Sequence, residues 1–208
     1  APPGKPGEEG TIQGFPEFLG IPFVGSPASV CHRAYNKDAL HSSLAKYREI
    51  TGDAGTASWP QGIFISKDAF KEMGAATALD LVPERVIGGF PVAVKPAHGG
   101  SALGIHKVET QEELGEAILD ALSYDDAVNI EQWIDGVEIA VSILGNGWDA
   151  HALPPVEIVP KNKFYDSDAR LNADHVDFFC PVRPESLSSD PVEAEAIRAE
   201  IERAALEV

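Results

Sequence analysis

Pro91-Val92-Ala93-Val94-Lys95-Pro96-Ala97-His98-Gly99-Gly100-Ser101-Ala102-Leu103-Gly104-Ile105 decides how this chain folds and what its centre can do. The first six residues read as a β-strand bracketed by prolines. An ammonium on such an apolar strand is costly to bury unless it meets an anion, so Lys95 needs a negative partner. Gly99, Gly100, Ser101 and Gly104 follow in a loop whose backbone N–H groups can close on phosphate oxygens. The order differs from the Walker form, because here the lysine precedes the glycines. Taken alone, the same residues also fit an edge-strand lysine beside a flexible turn.

Downstream, Asn129-Ile130-Glu131-Gln132-Trp133-Ile134-Asp135-Gly136-Val137-Glu138 offers a strand that ends in a carboxylate. Glu131 and the adjacent backbone groups suit an amino-purine edge. Trp133 and Ile134 suit a flat ring, and Glu138 beyond the Asp-Gly turn suits ribose hydroxyls. Two glutamates about a turn are equally compatible with plain solvation. Val156-Glu157-Ile158-Val159-Pro160-Lys161-Asn162-Lys163-Phe164-Tyr165-Asp166 is a strand entering a polar loop whose paired aromatics pack on a ligand or on the sheet beneath.

Working outward, the spacing predicts a helix near 36–50 with Leu40, Leu44 and Tyr47 on one stripe, then a strand at 62–65. Ser66 is the expected N-cap of a short helix through Met73. A strand is expected at 104–108. Thr110 and Glu113 are expected to form a capping box opening a helix that buries Leu114, Ala117, Ile118, Ala121 and Leu122. Strands follow near 127–133, 137–144, 151–159 and 176–180. Asp190-Pro191 starts a final helix with Ala194, Ile197, Ile201, Ala204 and Val208 on its stripe. Short turns between neighbouring strands in the second half point to an α+β layout.

The 208 residues carry 16 Lys+Arg against 33 Asp+Glu, a net charge of -17, which argues against sequence-independent binding of nucleic acid or anionic membrane. No apolar run approaches the roughly 20 residues that span a bilayer. Cys31 and Cys180 have no metal-ligand spacing, and both are expected to be buried and structural in a reducing cytoplasm. The six histidines are scattered, and His98 in the loop reads as a solvated residue or a phosphate contact. The Pro- and Gly-rich opening, Ala1 to Gly7, reads as a trimmed start or a mid-protein loop.

In this order and spacing the segments resemble the ATP-grasp enzymes, specifically the D-alanine–D-alanine ligase family. Gly7-Glu8-Glu9-Gly10-Thr11-Ile12-Gln13-Gly14 is similar to that family's Gly-Glu-Asp-Gly-Thr-Ile-Gln-Gly signature. Leu19 to Ser26, Asn36-Lys37-Asp38, the Lys95 strand, the Glu131-to-Glu138 segment and Pro160 to Asp166 continue the match. The resemblance implies an ATP-grasp fold of two α+β subdomains with the nucleotide site between them, the second incomplete. Residues 1–26 would be the remnant of an N-terminal substrate domain, 27–129 the central subdomain and 130–208 the C-terminal one. By the same resemblance, Lys37 and Lys95 would contact ATP phosphates, and Gly100, Ser101 and Ile105 would belong to the closing flap and ATP site. Glu131, Gln132, Trp133 and Ile134 would line the adenine pocket, Glu138 would bind ribose and Phe164 would pack on the base. Ser101 and Arg170 would serve catalysis, and Glu8 the substrate. The implied chemistry is ATP phosphorylation of a carboxylate, then attack by an amine, in a cytoplasmic enzyme of peptidoglycan precursor synthesis. The implied partners are D-alanine or a related amino or hydroxy acid and, because dimers are common in the family, a second copy of the full-length protein.

Three departures stand out. The family's Lys-Pro-Ser-Arg-Glu-Gly-Ser-Ser flap has a glutamate where this chain has Gly99, and its second serine is Ala102. Its Lys-Tyr after Phe-Tyr-Asp is Arg170-Leu171, which keeps a cation and loses a phenol. Its Mg²⁺ ligands, an Asp and then a Glu-x-Asn, fall beyond the chain end, so none is expected here and the 208 residues alone are expected to be inactive as a ligase. Two other readings stay open: a ligase for a different amino- or hydroxy-acid acceptor, and a nucleotide-binding module without chemistry.

Overall fold

In the computed structural model, which describes residues 5–52, 55–86, 88–162 and 164–208, the chain divides into two units. Lys163 and the first four residues lie outside the described residues. One unit comprises residues 1–45 and 60–134, the other 46–59 and 135–208.

Residues 10–35 of the first unit form α1 (Thr11–Leu19) and α2 (Ala28–Tyr35), which the periodicity reading had not assigned. Phe15, Phe18 and Leu19 of α1, and Ile21 and Val24 just after it, stay exposed. Helix α3 (Lys37–Thr51) forms where expected, but of the stripe Leu40, Leu44 and Tyr47 only Leu44 is buried and Tyr47 is exposed; Asn36 Oδ1 accepts the Ala39 N–H at 2.9 Å at its start. Strand β1 (Gly62–Ser66) runs into α4 (Lys67–Met73), where Ser66 accepts from the Ala69 N–H as a true N-cap. Then come α5 (Ala75–Arg85), β2 (Val92–Pro96), β3 (His106–Val108), α6 (Gln111–Tyr124) and β4 (Ala127–Gln132). The strands order β1-β4-β2-β3, each pair antiparallel.

The core of this unit is one face of that sheet covered by α6. Leu114, Ala117, Ile118, Ala121 and Leu122, the predicted helical stripe, pack with Val92, Val94, Val108, Val128 and Ile130. Each large aliphatic side chain buried this way stabilises the fold by about 1.5–3 kcal/mol. The expected capping box is not formed. Thr110 makes no side-chain cap bond, its hydroxyl being engaged by Glu112, and Glu113 accepts the Glu109 N–H at 2.9 Å instead. Strand β3 starts at His106, so Ile105 belongs to the preceding loop.

In the second unit the two long strands expected from sequence are each split. They appear as β5 (Glu138–Ala140) and β6 (Ile143–Leu144), then β7 (His151–Ala152) and β8 (Val156–Pro160). Gly145, with φ +90°, turns the chain between β6 and β7 where a Cβ would lie 2.3 Å from the Asp149 carbonyl oxygen. Helix α7 (Ser167–Leu171), β9 (Val176–Phe179), α8 (Pro184–Leu187) and α9 (Pro191–Glu207) complete it, with β8 central between β5 and β9. Asp190 caps α9 by accepting the Val192 N–H, and Ala194 is its buried contact. Buried Glu157 on β8 accepts from the Arg183 backbone and guanidinium and from the Ser186 hydroxyl. Both cysteines are free, and Cys180 is exposed rather than buried, because it follows β9 in an open turn.

Candidate nucleotide site

Antiparallel pairing of β2 with β4 sets Lys95 opposite Asn129 and Ala93 opposite Glu131, so Lys95 and Glu131 are diagonal neighbours on one face. The Lys95 ammonium pairs with one Glu131 oxygen, and Asn129 Nδ2 donates to the other. Glu131 is 4% exposed, whereas the Lys95 side chain is 24% exposed. The anion that the apolar strand demands is therefore supplied by the protein itself.

Lys37, the first residue of α3, brings a second cation to the same end of β2. Its Nζ donates to the carbonyl oxygens of Pro96 and Gly99, each at 3.1 Å. Burial and then the neighbouring Lys95 charge hold its pKa below the usual lysine range, partly offset by Glu131, Asp125 and Glu8. The Lys37 N–H also donates to the Ala97 carbonyl at 3.2 Å, and Asn36 bridges His98.

The flap leaves β2 in a chain of left-handed turns: Gly99 at φ +119°, Ser101 at +55°, Ala102 at +56° and Gly104 at +67°. Two successive non-glycine residues in this region store backbone strain, which is common where a loop must present its N–H groups. A Cβ on Gly104 would lie 2.6 Å from Tyr124 Cδ2 and 3.0 Å from Pro96 Cγ, so glycine is required there. Glu8 lies against the flap, with its carboxylate oxygens 2.8 Å from where a Gly100 Cβ would stand. Asp125 accepts both the His98 backbone N–H, at 2.8 Å, and its ring Nδ1, at 2.9 Å. A cleft of about 260 Å³ beside the flap is lined by Lys5, Tyr35, His98, Gly100, Leu103 and Asp125, among others.

Beyond β4, Gln132 exchanges hydrogen bonds with Gln61, the Trp133 N–H donates to the Pro91 carbonyl, and the Lys107 ammonium lies 5.2 Å from the Trp133 ring centroid. Ile134 is exposed at the end of the unit. Lys37, Lys95, Gly100, Ser101, Ile105, Glu131 to Ile134 and Glu8 thus share the first unit, while Glu138, Phe164 and Arg170 belong to the second. There, Glu138 opens β5 exposed, Phe164 is half-buried, and Arg170 on α7 lies 4.2 Å from the Tyr165 ring centroid. Sequence reading missed Asp125 as the His98 partner and Glu131 as the Lys95 partner. Neither pairing leaves a local signal, since partners 27 and 36 positions apart meet only once the sheet forms. Among the described residues no group of three or more His, Cys, Asp or Glu converges as metal ligands.

The chain has counterparts among solved structures. The chain is similar to the VanG D-Ala:D-Ser ligase from Enterococcus faecalis, with a TM-score of 0.73 and 28% identity over 98% of this chain and 52% of that one. It shares its fold with the D-alanine-D-alanine ligase from Coxiella burnetii, with a TM-score of 0.66 and 24% identity over 99% of this chain and 47% of that one. The fold is that of the ATP-grasp proteins. The family model for the D-ala D-ala ligase C-terminus matches residues 54–202, and the chain belongs to that family. Curated relatives include D-alanine–D-alanine ligases of Bordetella petrii, 35% identical over 94% of this chain and 55% of the relative, and of Bordetella pertussis, 38% identical over 86% and 51%. The chain thus spans about half the length of the curated relatives it matches.

Proposed function

We propose that this chain carries the ATP-binding machinery of a D-alanine–D-alanine ligase, an ATP-dependent carboxylate–amine ligase of peptidoglycan precursor synthesis. In this reading ATP phosphorylates the carboxylate of one D-alanine. The amine of a second D-alanine then attacks the acyl phosphate, forming the amide and releasing phosphate. The observation that carries the reading is the meeting of two lysines at the root of the glycine flap. Lys37 is fixed by the Pro96 and Gly99 carbonyls, and Lys95 by Glu131. Paired cations of this kind offset the charge that builds on a transferred phosphoryl group.

Within the site, Gly100, Ser101 and Ile105 supply flap contacts, Glu131 to Ile134 the adenine wall, and Glu8 a substrate contact. Ribose falls to Glu138, the base to Phe164, and Arg170 supplies a cation for the γ-phosphate. Lys95 has one partner already, so its exposed quarter is what remains to face a phosphate. The two free thiols suit a cytoplasmic setting, and a homodimer is the assembly proposed for the full-length enzyme.

The decisive experiment is calorimetric titration of ATP into this chain and into Lys95→Ala and Lys37→Ala. Loss of at least tenfold in affinity in each variant supports the assignment, about 1.4 kcal/mol. Unchanged affinity refutes it.

One observation favours a second acceptor. Gly99 sits at φ +119°, a conformation L side chains rarely adopt, where the resembled flap carries glutamate. Leu171, in place of that family's tyrosine, is 86% exposed. These departures keep a different amino- or hydroxy-acid acceptor open, and a panel of D-amino and D-hydroxy acids tested on the full-length protein will show which is used.

A further inference from the structure

Part of the loop that closes over the proposed nucleotide borders open space. A cleft of about 260 Å³ opens beside Gly99, Gly100 and Leu103, and Leu103 itself is exposed. Its internal ties, Leu103 N–H to the Gly100 carbonyl and Ile105 N–H to the Ala102 carbonyl, are each 3.4 Å, as is Gly99 N–H to the Tyr35 carbonyl of α2, while the Lys37 ammonium reaches the Gly99 carbonyl at 3.1 Å. Against these, one carboxylate oxygen of Asp125 takes two short bonds from a single flap residue, the His98 N–H at 2.8 Å and its ring Nδ1 at 2.9 Å. Asp125 follows the last residue of α6, so its carboxylate is held at the end of the helix that packs on the core. The His98 ring also stands 6.1 Å from that of Tyr35 at the end of α2. Burial alone would raise the Asp125 pKa, but the bonds from His98 and the Asp126 backbone together outweigh it and hold the group below its ordinary value.

We propose that Asp125, acting through His98, is a positioning residue that fixes the root of the flap so that the Gly100 and Ser101 N–H groups are presented to the nucleotide phosphates. The inference rests on the nucleotide reading above. The bond is long-range in sequence and charge-assisted, and it sets where the left-handed turn at Ser101 and Ala102 begins. His98 is thus tied to the protein through its backbone N–H and its ring Nδ1.

Hydrogen–deuterium exchange of the amides of residues 98–104 tests this, measured on wild type, Asp125→Ala and His98→Asn with and without ATP. Asp125→Ala is expected to speed exchange of these amides by about tenfold and weaken ATP binding by a similar factor, with β2 and β4 amides unchanged. His98→Asn keeps an N–H donor near Nδ1 and is expected to stay within about threefold of wild type. Unchanged flap exchange in Asp125→Ala overturns the proposal. So does a uniform acceleration across β2, β4 and α6, which would mark Asp125 as merely structural. If wild type fails to bind ATP while Asp125→Ala still loosens the flap, the nucleotide reading fails and the tether itself stands.

Discussion

Lys95 and Glu131 are paired across two neighbouring strands with unequal access to water: the carboxylate is 4% exposed and the lysine side chain 24%. The inequality fixes which partner is harder to lose. Removing one member of a buried pair leaves an uncompensated charge, and the cost follows how deeply that charge is buried. Lys95→Met, which strands Glu131, is expected to cost about 3 kcal/mol. Glu131→Gln, which strands an ammonium able to reach water, is expected to cost about 1–2 kcal/mol. Urea unfolding of both variants measures the difference, and an equal or inverted order contradicts the pairing.

Gly104 tolerates no side chain. Its φ of +67° and the 2.6 Å approach of Tyr124 Cδ2 combine strain with overlap. Gly104→Ala is expected to destabilise the first unit by about 1–3 kcal/mol, read from the shift in its denaturation midpoint, whereas Gly115→Ala, in open space on α6, is expected to be neutral or stabilising.

Acid should act on the second unit through Glu157. Hydrogen bonds from Arg183 lead the causes that bring its pKa from 4.5 down to about 2. A depressed carboxylate stabilises fully above its unfolded value and loses that contribution as pH falls through the folded one. The stability due to Glu157 is therefore expected to persist above about pH 4.5 and to disappear between there and pH 2. In Glu157→Gln the corresponding slope in that window should flatten, as circular dichroism across a pH series will show.

Glu207, at the end of α9, accepts the Thr56 and Ala57 N–H groups at 2.6 and 2.9 Å and pairs with Arg48, whose guanidinium lies 4.9 Å from the Trp59 ring centroid. Glu207→Ala should release residues 55–59. Faster exchange of the Thr56 and Ala57 amides, with a shift in tryptophan emission, is the expected outcome, and unchanged exchange argues against the tie.

Much of the sheet was legible beforehand because its signals are local. The prolines at 91 and 96 mark β2, Ser66 caps α4, and the spacing of Leu114, Ile118 and Leu122 marks the buried face of α6. Helices α1 and α2 were not: α1 carries Pro16 inside it, and neither buries a residue. Of the site, Lys95 was found because an ammonium on an apolar strand is conspicuous. Its partner Glu131 was not, since Glu131 becomes a neighbour only through the β2–β4 register. The capping box failed for a competing reason: Glu112 reaches Thr110 first.

The bare rim of Phe15, Phe18 and Val24 and the net charge of -17 pull against each other in solution. Mutual repulsion disperses the molecules at neutral pH, where greasy contact would otherwise join them. That repulsion reaches about 10 Å in 0.1 M salt and only about 3 Å in 1 M, and it vanishes near the isoelectric point of about 4.6. Brine and mild acid are thus the conditions in which the preparation will clump, and dilute neutral buffer is where it keeps.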